Sequence, residues 1–225
     1  MTTDIPSPPP ALPSTNNWSY GRLWARVPGN AVYLLAVYVL AMVAIGVLMS
    51  LFFTGVGLLI VIIGLPLVVA SLFVARGFAT LRFNFRGVGR SQGSFDNGIG
   101  ELSDAAAALD WVQSIHPEAQ TTWIAGFSFG AWIGMQLLMR RPEIRGFISV
   151  APPANMYDFS FLAPCPASGI FVQGTGDTVV QPQSVTKLVE KLRTQKHITI
   201  HHDEIPRANH FFENEQAELM RSVDN

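Results

Sequence analysis

A serine between two glycines, in the segment Gly126-Phe127-Ser128-Phe129-Gly130, separates an apolar run typical of a strand from a run with helical spacing. Glycines at these places permit the tight strand-to-helix turn that exposes a serine hydroxyl above a sheet. The pattern therefore predicts that Ser128 is a nucleophile. The alternative is an ordinary strand-to-helix turn, because five residues with three fixed positions are a weak signal alone.

Two later residues have the chemistry that a serine nucleophile needs, namely a base to take its proton and a carboxylate to orient that base. Asp177 lies 49 residues after Ser128, in a loop that follows a predicted strand, and His210 lies 33 residues further on, after the last predicted strand. Serine, acid and histidine is the chain order expected at a strand-turn-helix site of this kind. The alternatives are a turn-capping role for Asp177 and a surface position for His210.

Three other histidines, His197, His201 and His202, are close enough in sequence to be considered as metal ligands. His201 and His202 are consecutive on a predicted strand, so their side chains face opposite sides. We therefore predict a solvated strand end there and no metal site. The segment from Gly87 to Gln92 starts like a dinucleotide fingerprint but lacks its third glycine and a following helix, so no cofactor is predicted.

Apolar periodicity beyond residue 76 predicts alternating strands and helices, and hence an α/β fold with a parallel sheet and crossover helices. The predicted strands are residues 79–85, 122–125, 147–150, 170–173 and 198–202. The predicted helices are residues 102–114, 131–140, 183–194 and a last one from Glu213.

The segment Arg82-Phe83-Asn84-Phe85-Arg86-Gly87-Val88-Gly89-Arg90-Ser91, together with the elbow, Asp177 and His210, resembles the α/β-hydrolase family over residues 77–222. The resemblance implies attack by Ser128, with His210 as general base and then acid, Asp177 orienting it, and an acyl-enzyme intermediate. It also implies that the backbone amide of Phe129 supplies half of the oxyanion hole. Only residues 151–169 separate two predicted strands, which is too short for a helical lid and predicts a site open to water.

The chain departs from the family's pattern before Ala79. The family has strands and an oxyanion loop there, whereas this chain has an apolar region, so the second half of the oxyanion hole has no evident donor. In the family, a third strand sits between the fourth and the fifth. Residues 79–85 would therefore have to pair directly with residues 122–125, or leave buried backbone groups without partners.

The first 75 residues predict a membrane segment after a tail. Residues 1–17 are rich in proline and polar residues, which predicts disorder. Val27 to Ala75 contains no charge, enough for two crossings of about 20 residues each. We predict a transmembrane hairpin over residues 18–76, with helices at residues 31–53 and 58–75 and a break at 54–57, followed by the hydrolase-like domain over residues 77–225. A buried soluble helical pair is the alternative.

Arginines at both ends of this hairpin, Arg22 and Arg26 before it and Arg76, Arg82, Arg86 and Arg90 after it, predict that both ends face the cytoplasm. Residues 20–75 also weakly resemble the membrane sensor region of actinobacterial histidine kinases, on the segments 26–29, 57–59 and 64–67. A plain membrane anchor is the alternative.

A net charge of −1 provides no basic surface for nucleic acid, and the single Cys165 cannot form an internal disulfide. Two functions are consistent with the sequence. The first is a membrane-tethered serine hydrolase that cleaves a small-molecule ester or amide. The second is a catalytically impaired or inactive membrane protein that joins a sensor-like hairpin to a truncated hydrolase domain.

Overall fold

The computed structural model describes residues 38, 40, 42–50 and 69–224. The chain divides into two units, Met1–Val56 and Gly57–Asn225. The predicted tail, the break at residues 54–57 and much of the predicted hairpin lie outside the described residues. Within those residues, no helix has both the length and the apolar character needed to cross a bilayer. In the first unit, residues 42–50 are helical.

A sheet of four parallel strands forms the centre of the second unit, with the strands in chain order from one side to the other. The strands are β1 (Thr122–Phe127), β2 (Ile144–Val150), β3 (Ser168–Gly174) and β4 (Ile200–Ile205). The helices are α1 (helical over residues 69–75), α2 (Ile99–Ile115), α3 (Phe129–Leu138), α4 (Pro182–Arg193) and α5 (Gln216–Asp224). The prediction of a partial α/β-hydrolase sheet with crossover helices is confirmed.

The sheet is buried on both faces, as parallel sheets generally are. Because side chains alternate along a strand, Phe147 and Phe171 face one apolar cluster, which includes residues of α2, α3 and α4. Ile148 and Val172 face the other cluster, which includes residues of α5 and half-buried side chains of α1. The helices therefore cover both faces and leave the carboxyl ends of the strands at one edge.

The predicted strand at residues 79–85 is wrong, because the structure has these residues outside any strand. A strand requires a neighbour with which to exchange backbone hydrogen bonds, and β1 pairs only with β2 among the described residues. An apolar groove of about 520 Å³ separates residues 78–83 from β1. Direct pairing of residues 79–85 with residues 122–125 therefore does not occur.

Two of the arginines that follow the predicted hairpin form ion pairs with aspartates of the second unit. Arg76 pairs with Asp224 of α5. Arg86 binds Asp104 of α2 with Nη2 at 2.8 Å from Oδ1 and with Nε at 3.1 Å from Oδ2, and the Arg86 backbone N–H donates to the same Oδ2 at 2.9 Å. The Asp104 carboxylate thus fixes the loop that begins at Arg86 to the side of α2.

The Arg86–Asp104 contact predicts a pH-dependent contribution to stability. The side-chain hydrogen bond from Arg86 lowers the pKa of Asp104 below its ordinary value and outweighs the opposing effect of burial. A depressed folded-state pKa stabilises the fold above the unfolded pKa, and this stabilisation disappears as the pH falls through the folded one. Asp104→Ala should therefore lower the free energy of unfolding by about 1 kcal/mol at pH 7, with a smaller difference from wild type at pH 3.

Denaturant unfolding of both proteins at the two pH values measures this difference. Asp110→Ala is the matched control, because its exposed carboxylate forms a surface pair with Arg141 and such pairs contribute little. Equal losses for the two variants at pH 7, or a loss for Asp104→Ala that does not change with pH, would contradict the prediction.

Candidate active site

Ser128 lies at a sharp turn between β1 and α3. Its φ is +50°, an uncommon value for a residue other than glycine. Its backbone N–H donates to the Val150 carbonyl at the end of β2 at 2.9 Å, and its carbonyl accepts from the Ala131 N–H at 2.8 Å. The turn is thus held from both sides, and Ser128 Oγ lies at the carboxyl end of the sheet.

The two glycines of the elbow have different importance. A Cβ at Gly126 would overlap the backbone of Gly130 and Ala131, so the close approach of strand and helix requires glycine there. A Cβ at Gly130 would meet no atom within 4 Å. Only the first glycine is therefore required by the packing of the turn.

Asp177 follows β3 and is almost fully buried, with a carboxylate that receives four donors. Oδ1 accepts the backbone N–H groups of Val179 and Val180, both at 2.8 Å. Oδ2 accepts from His210 Nδ1 at 2.8 Å and from Gln173 Nε2 at 2.9 Å. Burial raises the pKa of Asp177, but these hydrogen bonds outweigh it and hold the pKa below the ordinary value. Asp177 is therefore a carboxylate at neutral pH.

The loop that contains Asp177 is hydrogen bonded to the loop that contains His210. Gly176 N–H donates to the Ala208 carbonyl at 3.0 Å, and Arg207 N–H donates to Thr175 Oγ1 at 2.8 Å. A Cβ at Gly176 would lie 2.8 Å from the Arg207 carbonyl oxygen, so glycine allows this close approach. These contacts fix the distance between the acid and the histidine.

The structure brings together the three residues that the sequence predicted as catalytic. His210 Nε2 lies 3.0 Å from Ser128 Oγ, while Nδ1 of the same ring lies 2.8 Å from Asp177 Oδ2. His210 is 6% exposed, and its ring packs 5.1 Å, centroid to centroid, from that of Phe127. Carboxylate, imidazole and hydroxyl thus form one hydrogen-bonded chain, with the geometry that general-base activation of a serine requires.

Phe129, predicted as an oxyanion donor, is the first residue of α3. The first N–H groups of a helix have no partner within it, so the Phe129 amide is free of the helical hydrogen-bond ladder. Its side chain is the centre of an aromatic cluster beside Ser128. The rings around it, at centroid distances of 5.6 to 6.0 Å, are those of Phe85, Phe95, Trp132 and Tyr157.

The remaining histidines lie away from this site. His201 is exposed, but the side chain of His202 is only 6% exposed, so the prediction of a solvated strand end is wrong for His202. Burial lowers the pKa of His202. Within the described part of the chain, no group of three or more His, Cys, Asp or Glu side chains is arranged to hold a metal ion.

Sequence reasoning missed Gln173, whose side-chain amide donates to the Asp177 carboxylate. Gln173 is the one polar side chain among the buried residues near the end of β3, in the run Ile170-Phe171-Val172-Gln173. A polar residue that ends an apolar strand just before an acidic loop was the available signal. The sequence alone does not show that this amide reaches Asp177, because the contact depends on the path of the loop between the two residues.

The parallel sheet and the elbow between β1 and α3 define an α/β serine hydrolase-like fold. The model of the X-Pro dipeptidyl-peptidase (S15) family matches residues 10–166. The matched region contains Ser128 and ends before Asp177 and His210.

Individual proteins similar to this chain extend this finding. An uncharacterized protein of Rickettsia prowazekii is 51% identical over 158 residues, which are 68% of this chain and 66% of that protein. A crystal structure from Agrobacterium tumefaciens, of a protein of unknown function described as an alpha/beta hydrolase, is 63% identical with a TM-score of 0.67 and covers 69% of this chain and 72% of that one. A serine hydrolase without a lid from Xanthomonas campestris is 38% identical with a TM-score of 0.56, over 64% and 62% of the two chains.

The chain belongs to the X-Pro dipeptidyl-peptidase (S15) family. It spans about two thirds of the length of the Rickettsia protein. The resemblance to α/β-hydrolases is thereby confirmed for part of the chain, and the resemblance of residues 20–75 to a histidine kinase sensor region stays a prediction.

The difference between the two elbow glycines predicts different tolerance to alanine. Gly126→Ala forces a methyl group against the helix backbone, so it should lower the free energy of unfolding by about 1–3 kcal/mol and displace Ser128. Gly130→Ala places its methyl group in open space and should leave stability within about 0.5 kcal/mol of wild type. Thermal unfolding of the two variants measures this difference, and similar losses of stability in both would contradict the elbow packing described here.

Proposed function

We propose that this chain hydrolyses an ester or amide bond of a small molecule through an acyl-enzyme formed on Ser128. The observation that supports the proposal is the continuous hydrogen-bonded chain from Asp177 through His210 to Ser128. Three independent loops supply these residues, and a chance surface arrangement does not explain a buried carboxylate and a buried imidazole aimed at one hydroxyl.

The proposed reaction starts with attack of Ser128 Oγ on the substrate carbonyl carbon, while His210 Nε2 accepts the hydroxyl proton. Asp177 accepts the hydrogen bond of His210 Nδ1–H, which selects the tautomer with a free Nε2 and stabilises the imidazolium that forms. The Phe129 N–H donates to the developing oxyanion. His210 then protonates the leaving group, and water repeats the sequence on the acyl-enzyme, releasing the acid and restoring Ser128.

The surroundings of Ser128 favour an apolar substrate. The half-buried rings of Phe129, Trp132 and Tyr157 lie on one side of the elbow, and burial of apolar substrate surface against them is favourable. The linker between β2 and β3 contains one short 3-10 turn, Ser160–Leu162, consistent with a site without a lid, as described for the Xanthomonas relative. The family's name makes cleavage after an Xaa-Pro pair the first amide reaction to test.

The proposed function includes attachment to the membrane, with the hydrolase domain on the cytoplasmic side. Support comes from the described residues of the first unit, whose larger side chains Tyr38, Leu40, Met42, Val43, Ile45, Val47, Leu48 and Met49 are all between 49% and 69% exposed. Residues 42–50 are helical, so these apolar side chains point in all directions around the axis. An all-apolar helix surface is stable in lipid or against another apolar surface, and not in water.

The enzymatic proposal predicts covalent labelling of Ser128. The full-length chain should react with a fluorophosphonate probe, because His210 removes the hydroxyl proton during attack on phosphorus. Ser128→Ala should not react, and Asp177→Asn should lower kcat for p-nitrophenyl esters by about 10⁴-fold, because the imidazole then adopts the wrong tautomer. Gel fluorescence and mass spectrometry of the labelled peptide, followed by ester and Xaa-Pro anilide assays, measure these effects.

Folded wild-type protein that takes up no probe would reject the hydrolase and favour the impaired or inactive membrane protein. Labelling is the more sensitive readout, because the absence of one oxyanion donor slows turnover by roughly 100- to 1,000-fold. Labelling without turnover of any ester or anilide would indicate a reactive serine whose substrate class lies outside those panels.

The membrane proposal predicts that the full-length chain sediments with membranes and resists extraction by high salt and alkaline carbonate. Val43→Asp combined with Val47→Asp puts two charges on one helical face, at a cost of roughly 3 kcal/mol each in a bilayer core. This double variant should shift toward the soluble fraction. Val43→Leu with Val47→Leu is the matched control and should remain in the pellet. Salt-extractable wild-type protein would reject membrane insertion.

A further inference from the structure

The amide of Gln173 is the second side-chain donor to the carboxylate oxygen that holds His210. Gln173 lies in β3, one residue before the strand ends, and is 0% exposed. Its Nε2 donates to Asp177 Oδ2 at 2.9 Å, and the same oxygen accepts from His210 Nδ1 at 2.8 Å. Gln173 and His210 therefore hold the same carboxylate oxygen together.

The orientation of this amide is determined by its surroundings. Besides Asp177 Oδ2, Nε2 lies 3.3 Å from the Gly174 carbonyl and 3.4 Å from the Val180 carbonyl, so it faces three acceptors. The amide oxygen is buried and has no hydrogen-bond partner among the described residues. A flipped amide would place an oxygen against three oxygens, which is repulsive. The unsatisfied oxygen is a cost that the contacts of Nε2 offset.

We propose that Gln173 is a positioning residue for the reaction, which fixes Asp177 Oδ2 in the plane of the His210 ring and withdraws part of its negative charge. The inference rests on the proposed hydrolase function. Val179 and Val180 hold the other oxygen of Asp177, so without Gln173 only His210 would hold Oδ2 among the described residues. The Gln173 amide holds Oδ2 independently of the imidazole that this oxygen orients.

The positioning role has a consequence for pH dependence. The hydrogen bond from Gln173 is one of the contacts that lower the pKa of Asp177. Removal of that donor moves the pKa of Asp177 upward, so the carboxylate that orients His210 is lost at a higher pH. Another charged residue near Gln173 in the sheet is Glu204, its neighbour on β4. The Glu204 side chain is exposed and accepts a hydrogen bond from Thr186 rather than from Gln173.

Gln173→Met tests the proposal, because methionine retains the length of the side chain and removes the donor. We expect kcat for the best ester substrate to fall about tenfold, the order expected for one hydrogen bond to a charged group, with KM unchanged. We also expect the acid limb of the pH–rate profile to move to higher pH. A lower thermal midpoint with an unchanged profile and kcat would overturn the proposal.

Gln195→Met is the matched control, since it also replaces a hydrogen-bonded side-chain amide, here half-buried and bonded to Cys165 and Leu162. Gln195 precedes β4 and so lies toward the opposite edge of the sheet from Ser128. It should lower stability without moving the pH profile. If the wild type neither reacts with a fluorophosphonate nor turns over ester, the hydrolase proposal has failed; an active wild type whose profile is unchanged in Gln173→Met refutes only the role of Gln173.

A measurement on the wild type avoids dependence on a variant that does not fold. The side-chain amide protons of Gln173 should shift in NMR spectra across the acid limb of the activity profile, because their acceptor is the Asp177 carboxylate. Amide resonances that do not change across that transition would overturn the proposal. Gln173→Glu adds a second variant, with activity expected to fall relative to wild type as rising pH ionises the new carboxyl beside Asp177.

Discussion

The buried negative charge of Asp177 is the constraint on which the candidate site depends. A carboxylate taken out of water is several kcal/mol less stable unless hydrogen bonds replace its hydration. Here two backbone N–H groups, one amide and one imidazole supply that replacement. Each donor must be held in position, and this explains why the acid loop and the histidine loop are hydrogen bonded to each other and approach closely at Gly176.

The parallel order of the strands explains where the site lies. Parallel strands have all their carboxyl ends at one edge of the sheet, so the loops after β1, β3 and β4 meet at that edge. β2 lies between β1 and β3 and contributes its last carbonyl, from Val150, to the backbone of Ser128. Ser128 is thus fixed to the sheet by a hydrogen bond that continues the ladder, while His210 is fixed through the buried Asp177 carboxylate.

Two parts of the proposed reaction use different sides of the elbow. The proposed proton transfer uses Ser128, Asp177 and His210, which follow β1, β3 and β4 and are joined by hydrogen bonds. The groove between residues 78–83 and β1 lies on the other side of the elbow, where Phe127, Phe129 and Gly130 line it. The proposed stabilisation of the oxyanion would use N–H groups on that side, beginning with that of Phe129. In this proposal, the contacts that activate Ser128 are separate from those that would complete the oxyanion hole.

The features that the sequence predicts are those that follow from the order of strands and loops along the chain. The elbow, Asp177 and His210 were predicted because each follows an apolar run, and the order of parallel strands brings such positions together. Residues 79–85 have the same apolar pattern and are not a strand, because strand formation depends on a partner that the pattern does not contain. His202 was predicted to be solvated from its place at a strand end, yet its burial depends on the helix packed beside it. The contact between Gln173 and Asp177 depends on the path of the loop after β3, which the sequence pattern does not specify.

The charge-free run before Arg76 shows that hydropathy alone does not determine what an apolar helix packs against. Residues 58–75 were predicted as one membrane crossing, but Val69, Leu72 and Phe73 have the spacing of one helical face and pack against the cluster that contains Val172 and Phe212. An apolar sheet face and a bilayer select the same side chains, so composition does not distinguish them. What distinguishes the two helices is whether their larger apolar side chains pack against protein. Those of the helix at residues 69–75 pack largely against the sheet, whereas the larger apolar side chains of residues 42–49 are exposed around the axis and are the ones that support membrane attachment.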